Sequence, residues 1–132
     1  MVLIKMYKNK YYNIKTRASD GTVLDSVREA RRYEELLILQ RAGKITDLQR
    51  QVRYELIPAQ YETYERFSKS GERLKDGKRL LERGVDYVAD FVYKDVESGN
   101  IIVEDAKGFK TKEYTIKRKL LLSVHNIRIK EV

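Results

Sequence analysis

Asp90, Asp105 and Lys107 sit in two segments rich in Val, Ile, Tyr and Phe, residues 85–93 and 101–109, joined by a polar run containing Ser98-Gly99. Such runs around such a turn predict a β-hairpin. Residues two apart share a strand face, so Asp90 goes with Val92 and Asp105 with Lys107. If a tight turn pairs Glu97 with Asn100, Asp90 falls opposite Lys107 and Val92 opposite Asp105. Asp90 is then diagonal to Asp105, at roughly 7–8 Å between backbones. A turn one residue longer would reverse the parity. Two carboxylates on an otherwise apolar face are costly to desolvate. A hard divalent cation held by both, Mg²⁺ with Mn²⁺ as a substitute, would offset that cost. The competing reading is two solvated aspartates with Lys107 as their salt-bridge partner.

Other elements must position this hairpin. A helix is predicted from Ser26 to about Ala42, stopped by Gly43. Ser26 and Glu29 have capping-box spacing, which by itself explains Glu29. Glu29 also heads the stripe Tyr33, Leu36, Leu37 and Gln40, from which it could face the hairpin as a third oxygen ligand. Glu34, beside Val27, Ala30 and Leu37, is its rival. Residues 49–58 alternate Val52, Tyr54 and Leu56 with charged positions, a strand closed by Pro58.

Residues 59–83 are polar and heavily charged. Tyr61, Tyr64 and Phe67 fall at helical spacing, predicting a short helix ahead of an irregular, mobile loop. Lys69, Arg73, Lys75 and Lys78 there offer contacts to a nucleic-acid backbone, the alternative being a solvated insertion without function. Past the hairpin, Gly108 permits a sharp exit and Thr111 is an N-cap. The following helix, to about Val124, is predicted to bury Ile116, Leu120, Leu121 and Val124. Tyr114 and Lys117 near its start could contact a scissile phosphate, although a snorkelling lysine is the commoner case. His125 reads as a surface or capping residue, and Ile127 and Ile129 as a final strand.

At the start, residues 2–7 read as a strand. Tyr7, Tyr11 and Tyr12 lie among Lys5, Lys8, Lys10 and Lys15, suiting either base stacking or an edge strand with a lysine fringe. Asp20-Gly21 marks a turn between two short strands. At 132 residues the chain is long enough for one domain with a single core. Its 28 Lys and Arg against 20 Asp and Glu, net +8, suit a polyanionic partner. The absence of cysteine excludes disulfides, thiolate metal sites and a cysteine nucleophile. No apolar run reaches membrane-spanning length and no signal-peptide pattern opens the chain, so an intracellular protein without a membrane partner is expected.

Asp90 on one strand, followed by Asp105-Ala106-Lys107 on the next, resembles the signature of the PD-(D/E)XK nuclease superfamily, with Ala89 where proline is usual. The predicted order, helix, three strands, helix, strand, resembles that superfamily's α/β core: a restriction-endonuclease-like central mixed sheet flanked by helices. The resemblance extends to a small phage and prophage family long catalogued as a domain of unknown function. Its members are similar at Asp20-Gly21, at Asp25-Ser26-x-x-Glu29-Ala30-x-Arg32-Tyr33, and over residues 48–57 with Gln51. They are similar again at Tyr87-x-Ala89-Asp90-Phe91, at Val103-Glu104-Asp105-x-Lys107-Gly108-Phe109 and at Thr111-x-x-Tyr114-x-x-Lys117. Only residues 59–83 have no such anchor.

The resemblance implies a Mg²⁺-dependent DNA endonuclease working in the cytoplasm of a bacterial host. Asp90, Asp105, the Ala106 carbonyl and Glu29 would be metal ligands, and Lys107 a fixed cation beside them. Glu104 points to the opposite strand face and reads as a structural acid. Holliday-junction resolvases within the superfamily imply branched DNA as substrate, and a symmetric cut implies a homodimer. Two other readings compete with it. One is a nucleic-acid-binding module with a purely structural acidic cluster, the other an interaction protein using the basic arm on an acidic partner.

Overall fold

The computed structural model describes residues 14–132 in full and Val2–Lys8 as backbone. β1 (Val2–Lys8), β2 (Ile14–Arg17) and β3 (Val23–Leu24) form an antiparallel three-stranded sheet. Asp20-Gly21 supply the turn between β2 and β3: Gly21 has φ +90° and Asp20 Oδ1 accepts from the Thr22 N–H at 2.9 Å. The side-chain surface expected around Tyr7, Tyr11 and Tyr12 lies outside the described residues.

Helix α1 (Val27–Arg41) starts where the sequence signals it. Ser26 accepts from the Glu29 N–H at 3.0 Å, a cap contributing about 1 kcal/mol. Gly43 at φ +75° ends it. Its inner face buries Ala30, Tyr33 and Leu36 against Leu24, Phe91 and Tyr93.

After β4 (Ile45–Ile57), residues 59–83 form neither a helix nor an irregular loop. They make an antiparallel hairpin, β5 (Gln60–Phe67) and β6 (Arg73–Glu82), a separate two-stranded sheet. Tyr64 pairs with Gly77 and Arg66 with Leu74, so the bulge there puts its extra residue on β6. Tyr61 and Phe67 share one face of β5 and Tyr64 takes the other, so a spacing of three that imitates a helix here alternates across a strand. The hairpin leaves the body at Gly84, where a Cβ would stand 2.9 Å from the Ile57 carbonyl oxygen.

β7 (Val85–Asp95) and β8 (Ile101–Asp105) form the predicted central hairpin, but its turn is longer than expected. The Asp95 N–H donates to the Asn100 carbonyl at 2.9 Å, and Val92 pairs with Val103 rather than Asp105. Two residues were added, an even shift, so each side chain keeps its face while the pairing slides. Asp90 therefore comes level with Asp105 and not with Lys107.

Helix α2 (Lys112–His125), capped by Thr111, crosses the sheet face opposite α1. β9 (Lys130–Glu131) then pairs parallel to β8, giving a mixed sheet in the order β4-β7-β8-β9. The class is mixed α/β, a multi-strand mixed sheet with two helices. α2 buries Tyr114 and Leu121, while Ile116 is 59% exposed and Val124 53%, against expectation. The larger aromatic takes the interior position and rotates that stripe outward. His125 is a surface residue in the last turn of α2, its Nε2 standing 2.5 Å from the Glu55 carbonyl of β4, while Asn126 forms the cap. No helix among the described residues is long and apolar enough to cross a membrane.

Candidate active site

A kink in the sheet builds the site. Tyr87 and Ala89 of β7 pack in the α2-side core, whereas Phe91 and Tyr93, also odd-numbered, pack against α1. β4 switches with it: Val52 and Tyr54 pack on the α2 side, while Leu48 joins the α1 side and Arg50 lies over the Tyr33 ring. Between Arg50 and Val52 stands Gln51 at φ +53°, a left-handed conformation unusual for a non-glycine residue. Its register partner is Asp90, so both strands change face at the aspartate.

Asp90 Oδ2 accepts from the Ala106 N–H at 2.9 Å, which ties β7 to the end of β8. Asp105 is 1% exposed, and its Oδ2 accepts from the Tyr87 hydroxyl at 2.5 Å. Lys107 Nζ forms an ion pair with Asp105 Oδ1 at 3.1 Å, but Oδ1 receives no hydrogen bond. Lys107 also lies over the Tyr114 ring, 4.7 Å from its centroid. Glu29 reaches the cluster from α1, its Oε2 buried without a hydrogen-bond partner.

Negative charge is crowded here. Burial, then Glu29 and then Asp105 push Asp90 up to about 8. Burial, then Asp25 push Glu29 up to about 7; Asp105 adds to the rise, while Arg50 and Lys107 oppose it. Burial and the bond to Asp105 also raise Tyr87, so it stays a neutral donor. The rival Glu34 is occupied elsewhere, its two oxygens accepting from the Ser19 N–H at 2.5 Å and Oγ at 2.8 Å.

Asp105 is buried and Asp90 beside it half-buried, and the two offer the oxygen ligands that a hard cation takes. Among the described residues no three carboxylate or imidazole groups stand close enough to enclose a metal ion. Mg²⁺ takes one or two carboxylates and keeps several waters, so the residues present fit it. Two clefts meet at Lys107. One, of about 440 Å³, is lined by Ser26, Arg28, Glu29, Gly108 and Thr111, and the other, of about 240 Å³, by Tyr87, Asp105, Thr111, Tyr114 and Lys117.

The family model described as "Protein of unknown function (DUF1064)" matches residues 8–131. The chain belongs to the DUF1064 family. No curated protein and no solved structure matches it.

In this DUF1064 chain the cluster joins Asp90, Asp105, Ala106, Lys107 and Glu29, with Tyr114 beneath Lys107. Lys117 lines the smaller cleft but is paired with Glu113 at 3.2 Å. Lys69, Arg73, Lys75 and Lys78 lie instead on the β5–β6 hairpin, and among the described residues no hydrogen bond or ion pair links them to the cluster. Arg73 pairs with Asp76 at 2.5 Å and Glu65 at 3.5 Å, so this basic arm is partly neutralised from within.

Tyr87, Arg50 and Arg28 were missed as site residues. Tyr87 is three residues from Asp90, which strand parity assigns to the other face. Only the turn at Gln51 brings it round, and nothing in the sequence marks a left-handed glutamine.

Proposed function

We propose that this chain is a Mg²⁺-dependent DNA endonuclease, hydrolysing phosphodiester bonds with selectivity for branched DNA such as Holliday junctions. The observation that carries this reading is the pairing of Asp90 with Asp105 beside Lys107, with Asp105 Oδ1 and Glu29 Oε2 buried and short of donors. A purely structural acid in the same strand looks different. Glu104 faces α1, and its oxygens accept from Arg32 Nε and Nη2, each at 2.7 Å, and from the Tyr93 hydroxyl. The succession α1, β4, β7, β8, α2, β9 supports kinship with the restriction-endonuclease-like core, with β5–β6 inserted.

Asp90, Asp105 and the Ala106 carbonyl would hold the ion, with Glu29 acting on it through one of its waters. When bound, it supplies positive charge against the phosphorane and acidifies water for attack. The chain's own groups do the rest. Tyr87 and the Ala106 N–H fix the two carboxylates, so little reorganisation is needed on binding. Lys107, braced by Asp105 and the Tyr114 ring, is held to orient the attacking water or to offset charge on the phosphate. Paired cuts across a junction need two such centres, so the active form is a homodimer. Incubating the protein with flap, junction, duplex and single-stranded DNA, with and without Mg²⁺, tests the reading: metal-dependent cleavage, strongest on branched DNA, is expected.

A further inference from the structure

Arg32, Arg50 and Arg118 are the arginines that the fold half-buries. Arg32 is held by Glu104 at 2.7 Å and Glu35 at 2.8 Å, and Arg118 by Glu131 at 3.3 Å. Arg50 has no such partner. Among the described residues it makes neither a hydrogen bond nor an ion pair, and its Nε is buried without an acceptor. Its guanidinium lies over the Tyr33 ring, 5.7 Å from the centroid. A ring face attracts the charge but leaves the N–H donors unmet, and withdrawing such donors from water is costly.

The fold places this cation at the acidic cluster. β4 turns over at Gln51, and Arg50 is the last residue before the turn to face α1. It pairs with Phe91, the neighbour of Asp90. Tyr33 beneath it is one helical turn from Glu29. Glu29 feels the Arg50 charge, yet the two form no ion pair, and Glu29 Oε2 is likewise buried without a partner.

We propose that Arg50 is a phosphate-binding residue of this site, its guanidinium taking the non-bridging oxygens of a DNA phosphodiester. The role rests on the nuclease reading and deepens it. Lys107 is already paired with Asp105 at 3.1 Å, whereas Arg50 keeps its donors for a substrate. Two non-bridging oxygens match the planar fork of an arginine, and the chain's net charge of +8 draws a polyanion. Tyr33 is itself anchored, its hydroxyl donating to Asp20 Oδ2 at 2.5 Å, so the guanidinium rests on a fixed platform and loses little freedom on binding.

Fluorescence anisotropy of a labelled four-way junction in chelator, where no metal-dependent cut is made, reads binding apart from cleavage. The wild type should bind, and Arg50→Gln should bind about tenfold more weakly with a logarithmic salt slope smaller by about 0.9. Junctions with single phosphates replaced by neutral methylphosphonate locate the contact. One replacement should weaken the wild type about tenfold and leave Arg50→Gln unaffected. Should circular dichroism show that Arg50→Gln misfolds, Arg50→Met replaces it, because its stem still covers the Tyr33 ring. A wild type that binds while the folded variant keeps its affinity and slope overturns the proposal alone, as does misfolding of both variants, which would make the guanidinium part of the fold. A wild type that binds no DNA overturns it together with the nuclease reading.

Discussion

Glu104 and Asp105 are adjacent in the chain, both buried, and oppositely provided for. Glu104 on the α1 face receives a two-pronged Arg32 and the Tyr93 hydroxyl; Asp105 on the other keeps Oδ1 without a donor. One strand thus carries an acid fully provided with donors and one whose Oδ1 meets only the Lys107 ammonium in an ion pair, the difference expected between an acid that holds the fold and one proposed to hold a ligand.

The satisfied acid predicts a stability effect. Arg32→Met leaves the buried Glu104 carboxylate with only the Lys130 ammonium, 3.9 Å away, and should lower unfolding free energy by about 3 kcal/mol. Urea unfolding followed by circular dichroism measures it. Adding Glu104→Gln should recover a substantial part, because the stranded charge is then gone. A loss below about 1 kcal/mol for Arg32→Met would show that the pair does not hold α1 to the sheet.

Without metal, stability should fall as pH rises. Folding raises Asp90 to about 8 and Glu29 to about 7, so the folded state binds more protons than the unfolded chain between the ordinary carboxylate range and those values. Both groups then become charged in the folded protein at a cost that grows by up to about 1.4 kcal/mol per pH unit for each. In a chelator the thermal midpoint should decline between pH 6 and pH 8.5, and Mg²⁺ should flatten the decline. A midpoint that rises with pH over that range contradicts the crowding of charge at the site.

The same shifts give a proton count on metal binding. At pH 7 the metal-free cluster retains between one and two protons across Asp90 and Glu29, and binding favours both carboxylates ionised. Calorimetric titration of Mg²⁺ in buffers of different ionisation enthalpy should show release of between one and two protons at pH 7 and almost none at pH 9.5. Asp90→Asn should abolish the binding heat. Binding without proton release at pH 7 would place the ion elsewhere.

Much of this was legible in the sequence where signals are local. Ser26 with Glu29 marked the start of α1 and Gly43 its end; Asp20-Gly21 marked a turn, and Thr111 the start of α2. The acidic pair was legible because its faces depend only on parity, which the longer turn between β7 and β8 preserved. The register was not, since nothing in residues 95–100 distinguishes a tight turn at Ser98-Gly99 from the four-residue loop formed. The β5–β6 arm was misread because Tyr61, Tyr64 and Phe67, divided between the two faces of an exposed strand, have the spacing of a helix. Tyr87 was missed because Gln51 adopts a conformation its side chain does not announce. The stripe Ile116 and Val124 had a partner in the pattern but not in space, because Tyr114 took the interior.

Cleavage of a four-way DNA junction in Mg²⁺, by the wild type and by Asp105→Asn, tests the central claim most directly. Asp105 is the acid both buried and short of a donor, and the substitution preserves its shape while removing the charge the ion needs. The wild type should cut, the variant should lose cleavage by at least about a thousandfold while still binding the junction, and a chelator should reproduce that loss in the wild type. Cleavage by Asp105→Asn at near the wild-type rate, or cutting that persists in chelator, would contradict the account.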